Sequence, residues 1–234
     1  MALPQLNNPT YELKLPSSGE SIKYRPFLVK EQKVLMMAIE SEDSGQMTRA
    51  VIDIIDACTE GSIKNLEKLP TFDIEYLFMK IRARSVGEVI TVTVTCPDDM
   101  ETKIETEINI EDVDVVKTEG HTNIIQLTDD IGMTMRYPSM KELMAYDMNG
   151  NQTDVTFKII NDCLENIFDK DEVYEDHSQE ELTAFVEQMT TDQFQQVTDF
   201  FTTMPKLKHT VMVTNPNTGV ESEVVLEGMQ SFLG

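Results

Sequence analysis

The order of segment types recurs within this chain, and this recurrence limits the folds that it can adopt. In the first half, an alternating pair that turns at Pro16–Gly19 precedes segments with helical periodicity. A strongly β-prone pair then follows, at Val89–Cys96 and Lys103–Ile110. The second half has the same order, from Ile124–Arg136 to a last alternating pair that turns at Asn215–Gly219. The sequence therefore predicts an α+β fold in which β-hairpins flank small helical clusters.

Short local matches between the halves favour an internal duplication. Three pairs of segments match in the same order: Arg25–Glu31 with Arg136–Glu142, Ile54–Cys58 with Ile159–Cys163, and Thr91–Pro97 with Thr210–Pro216. The alternative is that generic α+β order and three short matches arose by chance, since the spacing between them drifts. The shared order favours duplication, and a unit present only twice suits two lobes better than a solenoid. We predict an N-terminal arm at 1–9, a first lobe at 10–117 and a second, similar lobe at 118–234.

Apolar spacing predicts which helix faces are buried. A helix over Val29–Ile39 has apolar residues at helical spacing, at Val34, Leu35, Met37 and Ala38. The next helix, Met47–Cys58, has a stripe at Val51, Ile54, Ile55 and Cys58. Between the helices of the second half, the acidic segment Glu165–Glu181 is interpreted as a charged loop and the start of a helix. A docking surface for a basic partner is the alternative interpretation.

The charge excludes several classes of partner. The chain of 234 residues contains 19 basic and 42 acidic residues, which gives a formal net charge of −23. Such charge repels phosphate and anionic lipid, so we expect no nucleic-acid and no membrane partner. The hydrophobic share of 40% predicts a packed core. The N-terminus lacks the pattern of a secretory signal, and no apolar run reaches the ~20 residues of a membrane helix. We expect a soluble protein that is made in the cytoplasm.

Residues that could bind metal or catalyse a reaction are sparse. Cys96–Asp99 resembles half of a zinc knuckle, but the matching turn has Asn215, and a well-formed hairpin is the simpler interpretation. Asp147–Asn151 resembles the start of a calcium loop, but later ligand positions hold Gln152 and Lys158, which favours a turn between helices. The three cysteines, Cys58, Cys96 and Cys163, are typical of a reducing compartment, and we expect Cys58 and Cys163 to be buried and inert. We predict no catalytic, metal-binding or cofactor-binding residues.

Four segments carry a resemblance to a known family. Phe27–Met37, Leu69–Gly87, Thr128–Gly132 and Met135–Pro138 are similar to the baseplate hub subunit family of T-even-type contractile-tailed bacteriophages. The resemblance extends from about Pro9 to the C-terminus and includes no catalytic motif. It implies a non-enzymatic tail protein that is a component of the virion tail baseplate hub, or a factor needed to assemble the hub, with other phage tail and hub proteins as partners. Where relatives have cysteine pairs at the hairpin tips, this chain matches only Cys96.

The first hypothesis is a structural hub subunit that binds partners through its strand edges, helix faces and hairpin tips. The tip residues expected to contact partners are Pro97, Asp98, Asp99, Asn215, Pro216 and Asn217. Three copies of a two-lobed chain would present six similar lobes, so a homotrimer with a pseudo-six-fold arrangement is predicted. The second hypothesis is an assembly chaperone that is absent from the mature virion. An acidic DNA mimic is a third hypothesis, which the lysines interleaved with the carboxylates disfavour.

Overall fold

A computed structural model describes residues 6–41, 43–146 and 151–233. The chain divides into two compact units. Unit 1 combines Met1–Val116 with Lys206–Gly234, and unit 2 is Lys117–Pro205. Asp147–Gly150, which include most of the segment that resembles a calcium loop, lie outside the described residues.

The elements follow the predicted order of hairpins and helices. The strands are β1 (Tyr11–Lys14), β2 (Ser21–Tyr24), β3 (Val89–Thr95), β4 (Lys103–Asn109), β5 (Asp114–Val116), β6 (Ile124–Gln126), β7 (Gly132–Met135), β8 (Leu164–Phe168), β9 (Val173–Tyr174), β10 (Lys206–Thr214) and β11 (Glu221–Glu227). The helices are α1 (Val29–Glu40), α2 (Ser44–Cys58), α3 (Thr71–Val86), α4 (Met140–Ala145), α5 (Gln152–Cys163), α6 (Gln179–Glu187) and α7 (Thr191–Thr203). Short 3₁₀ segments lie at Leu66–Lys68, Ile110–Asp112 and Met229–Phe232. The mixture of helices and antiparallel sheets confirms the α+β class.

Unit 1 is organised around α3. Strand pairs β1–β2 and β3–β4 each form a two-stranded sheet, and β11–β10–β5 form a third. Residues on nearly every side of α3 are buried, as expected for a helix enclosed by neighbours. The buried carboxylate of Asp73 on α3 accepts a hydrogen bond from the backbone N–H of Ser17 (3.0 Å), which fixes the β1–β2 turn to this helix. Near the C-terminus, the buried Phe232 belongs to the same core, and its carbonyl accepts a hydrogen bond from Arg82 on α3.

The predicted stripe on α2 is confirmed, whereas α1 differs from its predicted pattern. Every residue of the α2 stripe is at most 1% exposed. On α1, Leu35 and Ala38 are buried, but Val34 and Met37 are exposed, and so is Met36. The physical reason is that α1 packs mainly against α2, so one narrow side of the helix is covered.

Unit 2 contains an antiparallel sheet in the order β6–β7–β8–β9 with helices packed on it. Met133 and Met135 from β7 join Ile160, Val197 and Phe200 from the helices in one buried core. The sequence interpretation of Glu165–Glu181 as a loop is wrong over β8 and β9. Within this acidic segment Ile167 still pairs with Met133, because strand pairing to β7 satisfies the backbone there.

The C-terminal hairpin β10–β11 belongs to unit 1, although sequence-based boundaries assign all of 118–234 to the second lobe. Its position follows from strand pairing, since Leu207 on β10 lies opposite Val115 on β5. This grouping concerns contacts in space, so the predicted duplication stays a prediction. None of the described helices is both long and apolar enough to cross a membrane.

Candidate functional site

The hairpin tips of β3–β4 and β10–β11 have closely related backbone turns. At the first tip, Met100 N–H donates to the carbonyl of Cys96 (3.0 Å), and at the second, Gly219 N–H donates to the carbonyl of Asn215 (2.8 Å). Met100 and Gly219 occupy the same place in these turns, and both have left-handed backbone angles, with φ of 57° and 74°. The two turns therefore share this hydrogen bond, whereas the bond that closes the loop joins Cys96 to Thr102 at the first tip and Asn215 to Val220 at the second.

The two tips meet side by side in unit 1. Asn215 is 1% exposed, and its side-chain N–H₂ lies 3.0 Å from Oδ1 of Asp98 and 2.9 Å from Oδ2 of Asp99. Thr218 donates its hydroxyl to Oδ2 of Asp98 (2.6 Å), and Asn217 donates its amide to the hydroxyl of Thr102 (2.9 Å). The structure thus brings together four of the six residues predicted to contact partners. The remaining two, Pro97 and Pro216, are exposed beside them.

Hydrogen bonds keep both tip carboxylates ionised. The pKa of Asp99 is held well below its usual range by hydrogen bonds that its carboxylate accepts. The donors are the side chain and backbone of Thr102, the backbone of Glu101 and the side chain of Asn215. Donation from Thr218 and Asn215 lowers the pKa of Asp98. Two adjacent carboxylates with lowered pKa values would repel each other, so the amide that bridges them stabilises the arrangement. We call this set of Asp98, Asp99, Thr102, Asn215, Asn217 and Thr218 the tip clasp.

The oxygen atoms of the tip clasp already have protein partners. Both oxygens of Asp98 and of Asp99 accept hydrogen bonds from side chains or backbone of unit 1. Across residues 6–41, 43–146 and 151–233, no group of three or more His, Cys, Asp or Glu side chains is arranged to hold a metal ion. Cys96 lies buried behind the tip, and burial raises the pKa of its thiol. The chemistry of the tip clasp is that of a hydrogen-bonded joint between hairpins.

An arginine–glutamate pair recurs in the two units. In unit 1, Arg25 lies 2.9 Å from Glu31, which also accepts the backbone N–H of Leu28, and the backbone N–H of Arg25 donates to the carbonyl of Cys58 (2.9 Å). Burial by itself would raise the pKa of Glu31, but hydrogen bonds from Arg25 and Leu28 outweigh it and lower the pKa.

Unit 2 has the same arrangement at the matching positions. Nη1 of Arg136 donates to Glu142 (2.9 Å), Glu142 accepts the backbone N–H of Ser139, and the backbone N–H of Arg136 donates to the carbonyl of Cys163 (2.8 Å). Burial would raise the pKa of Glu142, but the bonds from Arg136 and Ser139 lower it to about 2. In each unit the pair connects a hairpin, the start of one helix and the end of another.

Cys58 and Cys163 end the helices that these pairs hold, and both are buried, as predicted. Burial raises the pKa of Cys58 to about 11 and that of Cys163 to about 12. Thiols of this kind are neutral at physiological pH and poor nucleophiles.

The sequence gives little indication of a cluster around His121 in unit 2. Its Nδ1 lies 2.9 Å from Oγ1 of Thr203, and its Nε2 lies 3.1 Å from the hydroxyl of Tyr137. The Thr203 hydroxyl donates to the carbonyl of Asp199, so it accepts from Nδ1–H, and Nε2 accepts from Tyr137. Burial and the nearby Lys117 lower the pKa of His121, in agreement with a neutral ring. The ring borders a cleft of about 380 Å³, and only the assembled fold joins these distant residues.

Comparison of the chain with curated proteins and with solved structures gives no match. The family model described as T4 bacteriophage base plate protein matches residues 8–234. This range spans both units and includes both hairpin tips and both arginine–glutamate pairs. The chain therefore belongs to the family of T4 bacteriophage base plate proteins.

Proposed function

We propose that this chain is a non-enzymatic structural subunit of the baseplate hub of a contractile phage tail, and that it acts through contacts with other hub proteins. The family match over residues 8–234 carries the proposal. Membership of this family implies a structural role in the virion tail, together with contacts to other phage baseplate proteins. Beyond the family, we propose that the chain is located in the hub and that it has no enzymatic activity.

The surface of the described residues supports a role in protein contacts. Large apolar side chains are exposed on regular elements, where backbone hydrogen bonds hold them in place. Examples are Met36 and Met37 on α1, Val89 on β3, and Met212 and Val225 on the β10–β11 hairpin. Exposed apolar groups on rigid elements are typical of surfaces that other proteins cover.

The tips supply a second contact surface in this proposal. Because the tip clasp uses the side chains of Asp98, Asp99 and Asn215 internally, the part left for a partner is the exposed edge at Pro97 and Pro216. Prolines at a fixed turn present apolar surface at little entropic cost.

We test this surface by co-expressing the chain with candidate tail proteins and measuring which proteins copurify with it. The double variant P97E/P216E is expected to reduce the yield of hub partners. The control K64E changes the net charge by the same amount at an exposed site in unit 1 and is expected to leave the yield unchanged. Equal yields for both variants would remove the tips from the proposal.

The recurrent arginine–glutamate pairs support an internal duplication. Matching residues make matching side-chain and backbone hydrogen bonds in both units, including the bonds to Cys58 and Cys163. If the two halves resembled each other only by chance, there would be no reason for these hydrogen bonds to recur at matching positions. A homotrimer of a duplicated chain would present six similar surfaces, and a baseplate reconstruction by cryo-electron microscopy would reject this trimer if it contained one or six copies per tail.

An assembly chaperone for the hub is the second candidate function. The observation that favours it is the exposed methionine pair on α1, since flexible thioether side chains adapt to more than one partner. Mass spectrometry of purified virions separates the two candidates. Detection of the chain at the abundance of known baseplate proteins supports a structural subunit, and its absence from infectious particles supports the chaperone.

A further inference from the structure

The solvent-facing side of α1 has an unusual combination of exposed groups. Val29 is 81% exposed, Met36 53% and Met37 60%, and the charged side chains of Lys33 and Glu40 lie exposed among them. Lys33, Met36, Met37 and Glu40 occupy positions i, i+3, i+4 and i+7, which share one side of a helix. We call these five residues the outer face of α1.

The outer face of α1 differs in charge from the rest of the chain. The formal net charge of the protein is −23, yet this face has one lysine and one glutamate around its two methionines. Neither Lys33 nor Glu40 forms an ion pair with any residue in the described part of the chain. Both charged groups are therefore available to a molecule that covers the methionines.

The pattern is complementary to itself when two copies of the helix run antiparallel. Lys33 and Glu40 are equally distant from the midpoint between Met36 and Met37. A two-fold axis at this midpoint places Lys33 of each copy at the same axial level as Glu40 of the other. It also brings the methionine pairs together at the centre. Such an interface is isologous, with the same patch on both copies.

We propose that the outer face of α1 is a self-association surface, on which a second copy of this chain packs its own α1 antiparallel, with Lys33 opposite Glu40. This inference does not rest on the hub function, and it assigns the exposed Met36 and Met37 to a second copy of the chain and not to another hub protein. A 12-residue helix is ~18 Å long, so the contact lies at the small end of specific interfaces and corresponds to a weak, reversible dimer. At this face, the antiparallel pair excludes a cyclic trimer contact, because an isologous contact requires a two-fold axis and copies related by a three-fold axis pair two different patches.

Charge swaps test the proposed ion pairs. We expect sedimentation equilibrium of the whole chain at ~0.15 M salt to give a dimer with a dissociation constant in the ~micromolar range. The dimer contains two Lys33–Glu40 pairs, and K33E or E40K alone replaces both of them with pairs of like charge. Each single variant is expected to raise the dissociation constant at least about tenfold. The double swap K33E/E40K restores opposite charges and is expected to return the constant to within about threefold of the original. Circular dichroism confirms that each variant is folded.

Crosslinking tests the direction of the helices. The three native thiols are buried, so a short bismaleimide is expected to react only with a cysteine that is introduced at the surface. In the antiparallel pair, residue 36 lies ~1.5 Å along the axis from its copy, whereas residue 29 lies ~22 Å from its copy. M36C is therefore expected to crosslink and V29C is not.

Several outcomes would overturn the proposal. If sedimentation shows only monomer over the whole concentration range, the outer face of α1 does not mediate self-association, and a different baseplate protein is the remaining candidate to cover it. A crosslink at V29C indicates parallel helices. Dimers that respond equally to the single and the double charge swaps show that another surface mediates self-association.

Discussion

The side-chain amide of Asn215 lies 2.9 Å from Oδ2 of Asp99, and the same nitrogen lies 3.0 Å from Oδ1 of Asp98. One buried amide thus joins two hairpins that are more than a hundred positions apart in sequence. Asn215 belongs to Thr210–Pro216, and Asp98 and Asp99 directly follow the similar segment Thr91–Pro97, so the two tips of a predicted repeat pack on one another.

Substitution of this amide is expected to destabilise unit 1. N215A removes the donor that bridges two adjacent carboxylates, and we expect a loss of about 1–3 kcal/mol in the free energy of unfolding. The exposed Asn217, which makes one side-chain bond across the tips, is the matched control, and N217A should cost less than about 1 kcal/mol. Urea denaturation followed by circular dichroism measures both. Equal losses for the two variants would contradict the bridging role of Asn215.

Acid is expected to weaken the arginine–glutamate pair of unit 2. The pKa of Glu142 falls from its ordinary value of 4.5 to about 2 in the folded chain, so the folded state prefers the ionised form. The resulting stabilisation is complete above pH 4.5 and is lost as the pH falls toward 2.

The variant E142Q lacks this contribution. We expect its free energy of unfolding at pH 7 to be lower by about 1–2 kcal/mol, after allowance for partial exposure of the pair. The difference from the unmodified chain should shrink as the pH is lowered through this range. The control E187Q, at an exposed position on α6, should change the free energy of unfolding at pH 7 by less than about 0.5 kcal/mol. A constant deficit for E142Q at all pH values would mean that the ionised pair contributes nothing specific.

The cysteines are expected to be unreactive in the folded chain. Cys58, Cys96 and Cys163 are all at most 1% exposed, and burial raises the pKa of each. At pH 8 the thiolate fraction is therefore negligible. Ellman's reagent should label no thiol in the native state and three thiols after denaturation in guanidinium. Rapid labelling of a native thiol, before any loss of circular dichroism, would contradict this burial.

Gly132 on β7 is expected to tolerate no larger residue while Phe168 lies opposite it. A Cβ atom at position 132 would overlap Cζ of Phe168 and would lie 3.1 Å from the carbonyl oxygen of Ile125. We expect G132A to destabilise unit 2 by about 1–3 kcal/mol. In the background F168A the additional cost of G132A should be smaller, because the ring is gone. A double-mutant cycle measures this coupling, and a coupling energy near zero would contradict the contact.

Local sequence patterns predict where the helices and strands of this fold lie better than they predict which of their side chains are buried. The hairpins around Leu15 and Cys96 and the helix Ser44–Cys58 appear where alternation, turn residues and apolar spacing indicate them. The predicted helix at Val29–Ile39 also forms, but half of its apolar pattern faces solvent. Apolar spacing indicates that a side chain can be buried, whereas the packing of neighbouring elements decides whether it is.

The sequence indicates the two hairpin tips of the tip clasp separately, but it does not indicate that they meet. Turn chemistry identifies Pro97–Asp99 and Asn215–Gly219 as hairpin tips, and the similarity of the strands before them favours a duplication. Nothing local indicates that the amide of Asn215 is buried against Asp98 and Asp99. The acidic surroundings of β8 and β9 likewise hide the pairing of β8 with β7 and of β9 with β8.

The class of fold, the positions of the hairpins and of most helices, the strongly acidic charge and the family resemblance can all be read from the sequence without the structure. These properties depend on composition and on periodicity within short segments. Three features become visible only in the folded chain: the C-terminal hairpin joins unit 1, the two tips form one clasp, and α1 presents methionines to solvent. Each of these depends on contacts between residues far apart in the chain, whose free energy is set by burial and pairing in the assembled fold.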